Sequence, residues 1–107
     1  MVNMDPTVGH EVQKSRPCVV MSGVTSQGSK LRTVIPFTEW KDKWVRLPFV
    51  VRIDPTALNG LSKPSACDAV QIRSVSIARF SRQMGQLETE VVEELRLLIG
   101  ILVAPDI

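Results

Sequence analysis

The chain has 107 residues, 44% hydrophobic and 22% charged, a length and balance that fit one soluble globular domain over residues 1–107 and exclude a second core. The net charge of +2 hides an asymmetry: residues 1–87 hold twelve Lys or Arg against six Asp or Glu, and residues 88–96 hold four Glu against one Arg. One histidine and two cysteines in no metal-ligand spacing exclude a zinc site, and no apolar run is long enough to span a membrane. With no basic-then-apolar leader at the start, a cytoplasmic protein with two reduced thiols, Cys18 and Cys67, is expected.

Short apolar runs recur between turn signals. Met1 to Met4 reads as the end of a strand. Pro17 to Ser22 (PCVVMS) is β-branched and reads as a buried strand. Gly23 to Lys30, rich in Gly and Ser, is a turn, and Leu31 to Thr38 is the next strand. Leu47 to Ile53 is a further strand, with Pro48 suggesting an edge or a bulge, and Asp54-Pro55 ends it. Ala66 to Arg73 and a short Gln83 to Leu87 complete the strands. Val91, Val92, Leu95, Leu98, Ile99 and Leu102 then form one apolar helical stripe. Glu88 and Glu90 stand at its start, where the helix dipole favours anions. Gly100 weakens its last turn, and Pro105 lies beyond its end. Short strands followed by one amphipathic helix predict a mostly β domain, a small barrel with a C-terminal helix packed on it.

No catalytic triad, Gly-rich phosphate loop or metal cluster stands in the sequence, so neither a metal nor another cofactor is expected. Three segments carry the chemistry. Asp5 to Ser22 (DPTVGHEVQKSRPCVVMS) runs a strand end into a Gly-His-Glu loop and then an Arg-Pro step. Val34 to Thr38 (VIPFT) ends a strand in a hydroxyl. Gly60 to Phe80 contains Gly-Leu, Ser and Gln-Ile-Arg-Ser in that order. In this order and spacing they resemble the MazF/PemK family of toxin ribonucleases from type II toxin–antitoxin modules, over nearly the whole chain.

The resemblance implies an SH3-like barrel of the MazF/PemK and CcdB-like kind. It implies a homodimer with a groove for single-stranded RNA, a cognate antitoxin as protein partner, and metal-independent cleavage to a 2′,3′-cyclic phosphate and a 5′-hydroxyl. The family's catalytic residues map onto Arg16, Thr38 and Glu11. Arg16 suits the task because its fork of donors matches phosphoryl oxygens, and the Thr38 hydroxyl adds another donor. Glu11 or His10 is the candidate to take the 2′-hydroxyl proton. RNA contacts are expected from His10, Lys14, Pro17 and Gln71, and from the loop WKDKWVR, where Trp44 can stack a base and Lys41 and Lys43 can neutralise phosphates.

The chain also departs from the family. It starts four residues before the Asp-Pro-Thr element, so a shortened first strand is expected. Val12 stands where a polar residue is usual, and Val70 where an acidic one is usual before Gln-Ile-Arg. Both changes leave the RNA sequence preference open. Two other readings of the same fold remain: a gyrase-poison-like toxin that binds protein, and an inactive RNA- or antitoxin-binding module.

Overall fold

A computed structural model of the chain describes residues 2–3, 15–21 and 28–104. Its strands are β1 (Val2–Asn3), β2 (Ser15–Arg16), β3 (Cys18–Val20), β4 (Leu31–Glu39), β5 (Val50–Ile53), β6 (Ser65–Asp68) and β7 (Arg73–Ser76), followed by the helix α1 (Thr89–Leu102). All pairings are antiparallel. β1 pairs with β2, and the larger sheet runs β3-β4-β6-β5 with β7 also on β4. The mostly β class and the C-terminal helix match the reading of the sequence. Among the described residues the sheet stays open, because its outer strands β3 and β5 do not pair with each other.

β4 is the hub, and Pro36 explains its shape. The Phe37 N–H donates to the Pro17 carbonyl and the Met21 N–H to the Thr33 carbonyl, so odd-numbered residues of β4 turn their backbone groups toward β3. Pro36 therefore faces the other edge, where it has no N–H to give. That edge is where the partner strand breaks. From Phe37 to Val34 β4 advances three residues, whereas its partners advance six, from Cys67 to Arg73. The surplus is taken up by a 3-10 turn, Ala69–Gln71, whose first free N–H, on Val70, is capped by the Asp68 carboxylate at 3.0 Å. The expected single strand Ala66 to Arg73 is thus two strands with a turn between them.

Two further expectations are corrected. Leu47 to Ile53 begins late, at Val50, because a 3-10 turn at Asp42–Arg46 and the donor-less Pro48 occupy the preceding chain. β5 is an edge strand, as Pro48 suggested. Gln83 to Leu87 is no strand at all: one backbone bond, Gln86 N–H to Leu58 O at 2.9 Å, ties it down. Gly85 and Gly60 allow the two segments to meet, since a Cβ on either would collide with the other segment's backbone. Gly60 also holds φ +68, in the left-handed region.

Alternation sorts the sheet into two faces. Val19, Ile35, Phe37, Val51, Ile53 and Cys67 turn one way and form the main core with Leu95 of α1. Val91, Leu98 and Ile99 flank Leu95 at helical spacing and close over the same face. The opposite face carries a smaller cluster, Val34 and Val75 with Cys18 and Phe80 against them. Burial pushes both free thiols up, Cys67 most strongly with the Asp68 charge adding to it, so both stay protonated at neutral pH and neither is an activated nucleophile.

Candidate functional site

Arg16 and Thr38 lie 22 positions apart in the chain. The sheet brings them together. β3 pairs with β4 as Cys18↔Pro36, Val19↔Ile35 and Val20↔Val34. The Phe37-to-Pro17 bond, 2.8 Å, carries the same register one residue further. One more step of that register would set Arg16 across from Thr38, and alternation would turn both side chains to one face of the sheet. Pro17 helps here: the residue before a proline is held extended, so Arg16 leaves β3 as a continuation strand rather than a turn. β1 then flanks it, with Val2 opposite Arg16.

β4 ends just past Thr38, where the Trp40 N–H donates to the Pro64 carbonyl at 3.0 Å. The chain then coils into the Asp42–Arg46 turn, closed by Trp44 N–H to Lys41 O at 2.9 Å. This folds Lys41, Lys43 and Trp44 back over the end of β4. The result is a cleft of about 600 Å³ lined by Arg16, Pro17, Thr38, Lys41, Lys43, Trp44 and, from the facing loop, Leu61 to Lys63. Four of its lining residues are basic and one, Glu39, is acidic. Lys43 lies over the Trp44 ring at 5.1 Å, and Arg52 over the Trp40 ring at 5.2 Å. Both indole N–H groups are buried without a hydrogen-bond partner among the described residues.

A second cavity, about 700 Å³, shares Pro17, Phe37, Leu61 and Met84 with the cleft. It lacks the Arg16 and Thr38 side chains and the lysines, so the residues singled out in the sequence gather in the first cleft and not in this one. Opposite the turn, the loop 54–61 is held by Asn59, which is buried. Its amide donates to Asp54 O and Glu88 Oε1, and its carbonyl accepts from the Thr56 and Leu61 N–H groups, all at 2.9–3.1 Å. Thr56 adds a bond to the second Glu88 oxygen at 3.1 Å. The wall that carries Leu61, Ser62 and Lys63 is thereby tied to the start of α1.

Of the residues singled out in the sequence, Arg16, Thr38, Pro17, Lys41, Lys43 and Trp44 gather in this cleft. Gln71 does not: it is exposed on the Ala69–Gln71 turn and is not among the lining residues. His10, Glu11 and Lys14 lie outside the described residues. Glu39, Ser62 and Lys63 were missed. Glu39 follows Thr38 directly, and Lys63 sits inside the Gly-Leu-Ser-Lys-Pro segment, so proximity to known motifs was the available signal. Among the described residues no three His, Cys, Asp or Glu side chains are grouped to hold a metal, and no helix is long and apolar enough to cross a membrane.

Residues 1–103 match the profile of a family described as PemK-like, MazF-like toxin of type II toxin–antitoxin system. The chain is 32% identical over 100 residues to Endoribonuclease MazF9 of Mycobacterium tuberculosis, covering 88% of this chain and 82% of that protein. Its fold is similar to the MazE–MazF crystal structure from Deinococcus radiodurans, with a TM-score of 0.73 at 25% identity, covering 98% of this chain and 90% of that one. It is also similar to the M. tuberculosis toxin MazF-mt6, with a TM-score of 0.70 at 25% identity, covering 88% and 91%.

Proposed function

The chain belongs to the PemK-like, MazF-like toxin family of type II toxin–antitoxin systems, and on that premise we propose that it is an endoribonuclease whose reacting phosphate sits between Arg16 and Thr38. The single observation that supports this assignment of the site is that Arg16 and Thr38, far apart in the chain, line one basic cleft.

The reaction is a transesterification within the RNA. The 2′-oxygen attacks phosphorus and the bond to the 5′-oxygen breaks. The 2′-hydroxyl loses its proton and the departing 5′-oxygen gains one. The products are a 2′,3′-cyclic phosphate and a 5′-hydroxyl. Charge accumulates on the phosphoryl oxygens in the transition state, and Arg16 answers it with two parallel donors. Arg16 is not a resting base, because a guanidinium is not deprotonated in proteins. The Thr38 hydroxyl donates to the same oxygens. Glu11 or His10, a few positions before β2 in the chain, takes the 2′ proton. Lys41 and Lys43 neutralise flanking phosphates and Trp44 offers a stacking surface.

The partners follow from the same reading: single-stranded RNA as substrate, a second copy of the chain to complete the groove, and a cognate antitoxin that covers it. A complex of this kind is named in the Deinococcus MazE–MazF structures. Action on RNA places the protein in the cytoplasm. The gyrase-poison reading is not favoured, since such a toxin needs neither Arg16 nor Thr38, and the relative that shares 32% identity is named an endoribonuclease.

The test is incubation of the pure protein with a long RNA in excess EDTA, with both new ends mapped chemically. Cyclic phosphate and 5′-hydroxyl ends are expected. Cleavage that EDTA abolishes and magnesium restores overturns the mechanism, and a folded dimer that leaves RNA intact overturns the function.

A further inference from the structure

Arg52 is a basic side chain that does not line the cleft, yet strand register ties it to Thr38. Thr38 pairs with Ala66 across β4 and β6, and Ala66 pairs with Arg52 across β6 and β5. Residues paired directly across strands send their side chains to the same face. Thr38 and Arg52 therefore stand in one row on the face opposite the main core, two strand spacings or roughly 10 Å apart. Ala66, between them, is buried and ends at its Cβ, so no long side chain of the row separates the two.

The guanidinium of Arg52 is fixed in two ways. It lies over the Trp40 ring at 5.2 Å, and its Nε donates to Asp54 Oδ1 at 3.0 Å. Stacking on the indole sets the plane of the group, and the Nε bond sets its rotation within that plane. Among the described residues, its two terminal amino groups have no hydrogen-bond partner. The side chain is about half exposed, so those donors are open to a ligand. An exposed ion pair adds little to stability. A guanidinium held at one edge with a free pair of donors at the other is instead prepared to take an anion with two oxygens to offer.

Resting on the nuclease reading above, we propose that Arg52 is a further RNA-binding residue, whose terminal amino groups hold a backbone phosphate flanking the one that is cleaved. The RNA strand then leaves the cleft across Ala66 toward β5, the sheet edge, and Arg52 fixes its register on Thr38. A phosphate contact carries no base information, so Arg52 supplies affinity and alignment rather than sequence preference. Trp40 and Asp54 hold the guanidinium ready for it.

The test uses an RNA whose attacking 2′-hydroxyl is removed, with single phosphates replaced one at a time by neutral methylphosphonates. Binding is measured for the parent, Arg52→Gln and Arg52→Lys over a range of salt, with folding checked by thermal unfolding. In the parent, one phosphate other than the scissile one should weaken binding by on the order of tenfold when neutralised, the lower range for a hydrogen bond to a charged group. Arg52→Gln should bind more weakly by a similar factor, should be insensitive to that replacement, and should lower the salt slope by about 1. Arg52→Lys keeps the charge and loses the fork, so it should keep the salt slope and recover only part of the affinity. With cleavable RNA, the loss in Arg52→Gln should fall on KM far more than on kcat. A replacement profile in Arg52→Gln identical to the parent's overturns the proposal and leaves the nuclease reading intact. A fall in kcat with binding unchanged would place Arg52 in the chemistry and also overturn it. A parent protein that neither binds nor cuts RNA overturns both readings.

Discussion

The loop 54–61, which leads into the cleft wall Leu61 to Lys63, and the corner 38–46 on the cleft's other side are built on opposite terms. In the loop, Asn59 is buried with both its donors and its acceptor in use, and Thr56 and Glu88 close the network. In the corner, two indole N–H groups are buried with no partner among the described residues, and Lys41 and Lys43 are exposed. A satisfied buried network rigidifies its surroundings. An orphaned donor costs about 1–3 kcal/mol. On the proposed function, the loop is scaffold and the corner is the wall that meets the RNA. Proteins accept such local costs at functional sites, provided the rest of the fold carries them.

If that division holds, changes on the cleft side should cost rate, and changes in the loop should cost stability. The largest effect falls at Arg16. Arg16→Ala should lower the cleavage rate by on the order of 10² to 10³, with a melting temperature close to the parent's. Arg16→Lys should resemble it, because the charge is kept and the planar fork is lost. Thr38→Ser should retain much of the rate. Single-turnover cleavage beside calorimetry checks all three, and a folded Arg16→Ala protein that cuts RNA at the parent rate would remove the site.

On the loop side, Asn59→Ala removes the partner of the Thr56 and Leu61 N–H groups and of the Asp54 carbonyl, and leaves Glu88 with Thr56 alone. It should destabilise the fold by about 3 kcal/mol. Denaturant unfolding measures this, and at temperatures where the variant remains folded, the catalytic step should be affected far less than by Arg16→Ala. A variant that is stable but inactive would show that the loop belongs to the chemistry.

Gly60→Ala should cost somewhat less, about 2 kcal/mol, from the left-handed backbone and the collision with the Met84 carbonyl. Urea midpoints at unchanged slope would report it, and a neutral result would mean that segment 83–87 shifts freely.

The smallest effect is expected at Trp44→Phe, which keeps an aromatic ring and deletes an unpaired donor. Stability should stay within about 0.5 kcal/mol of the parent or rise slightly, because the desolvation cost leaves with the N–H. A loss as large as that of Asn59→Ala, read by the same unfolding experiment, would erase the contrast between the two walls.

Much of the fold is legible from local pattern. The run Leu31 to Thr38 and the helical stripe Val91 to Leu102 carry periods that only one element type satisfies, and both formed with boundaries shifted by a residue or two. Arg16 and Thr38 were legible through the order of the motifs that contain them. The strand expected at Gln83 to Leu87 failed because its apolar and polar residues suit any extended chain, and whether it joins a ladder depends on a partner. Gln71 was singled out through a motif, but Pro36 on a distant strand decides where that motif turns.

The sequence by itself determined the alternation that builds β4, the stripe that makes α1 amphipathic, and the family, since these reside in residue types and short spacings. Tertiary structure alone decided that Arg16 and Thr38 line one cleft, that Lys63 and Glu39 share it, and that Asn59 ties a loop to the helix start. These are contacts between segments far apart in the chain. They follow from the register of strand pairing, which side-chain pattern narrows and only the closing of backbone hydrogen bonds selects.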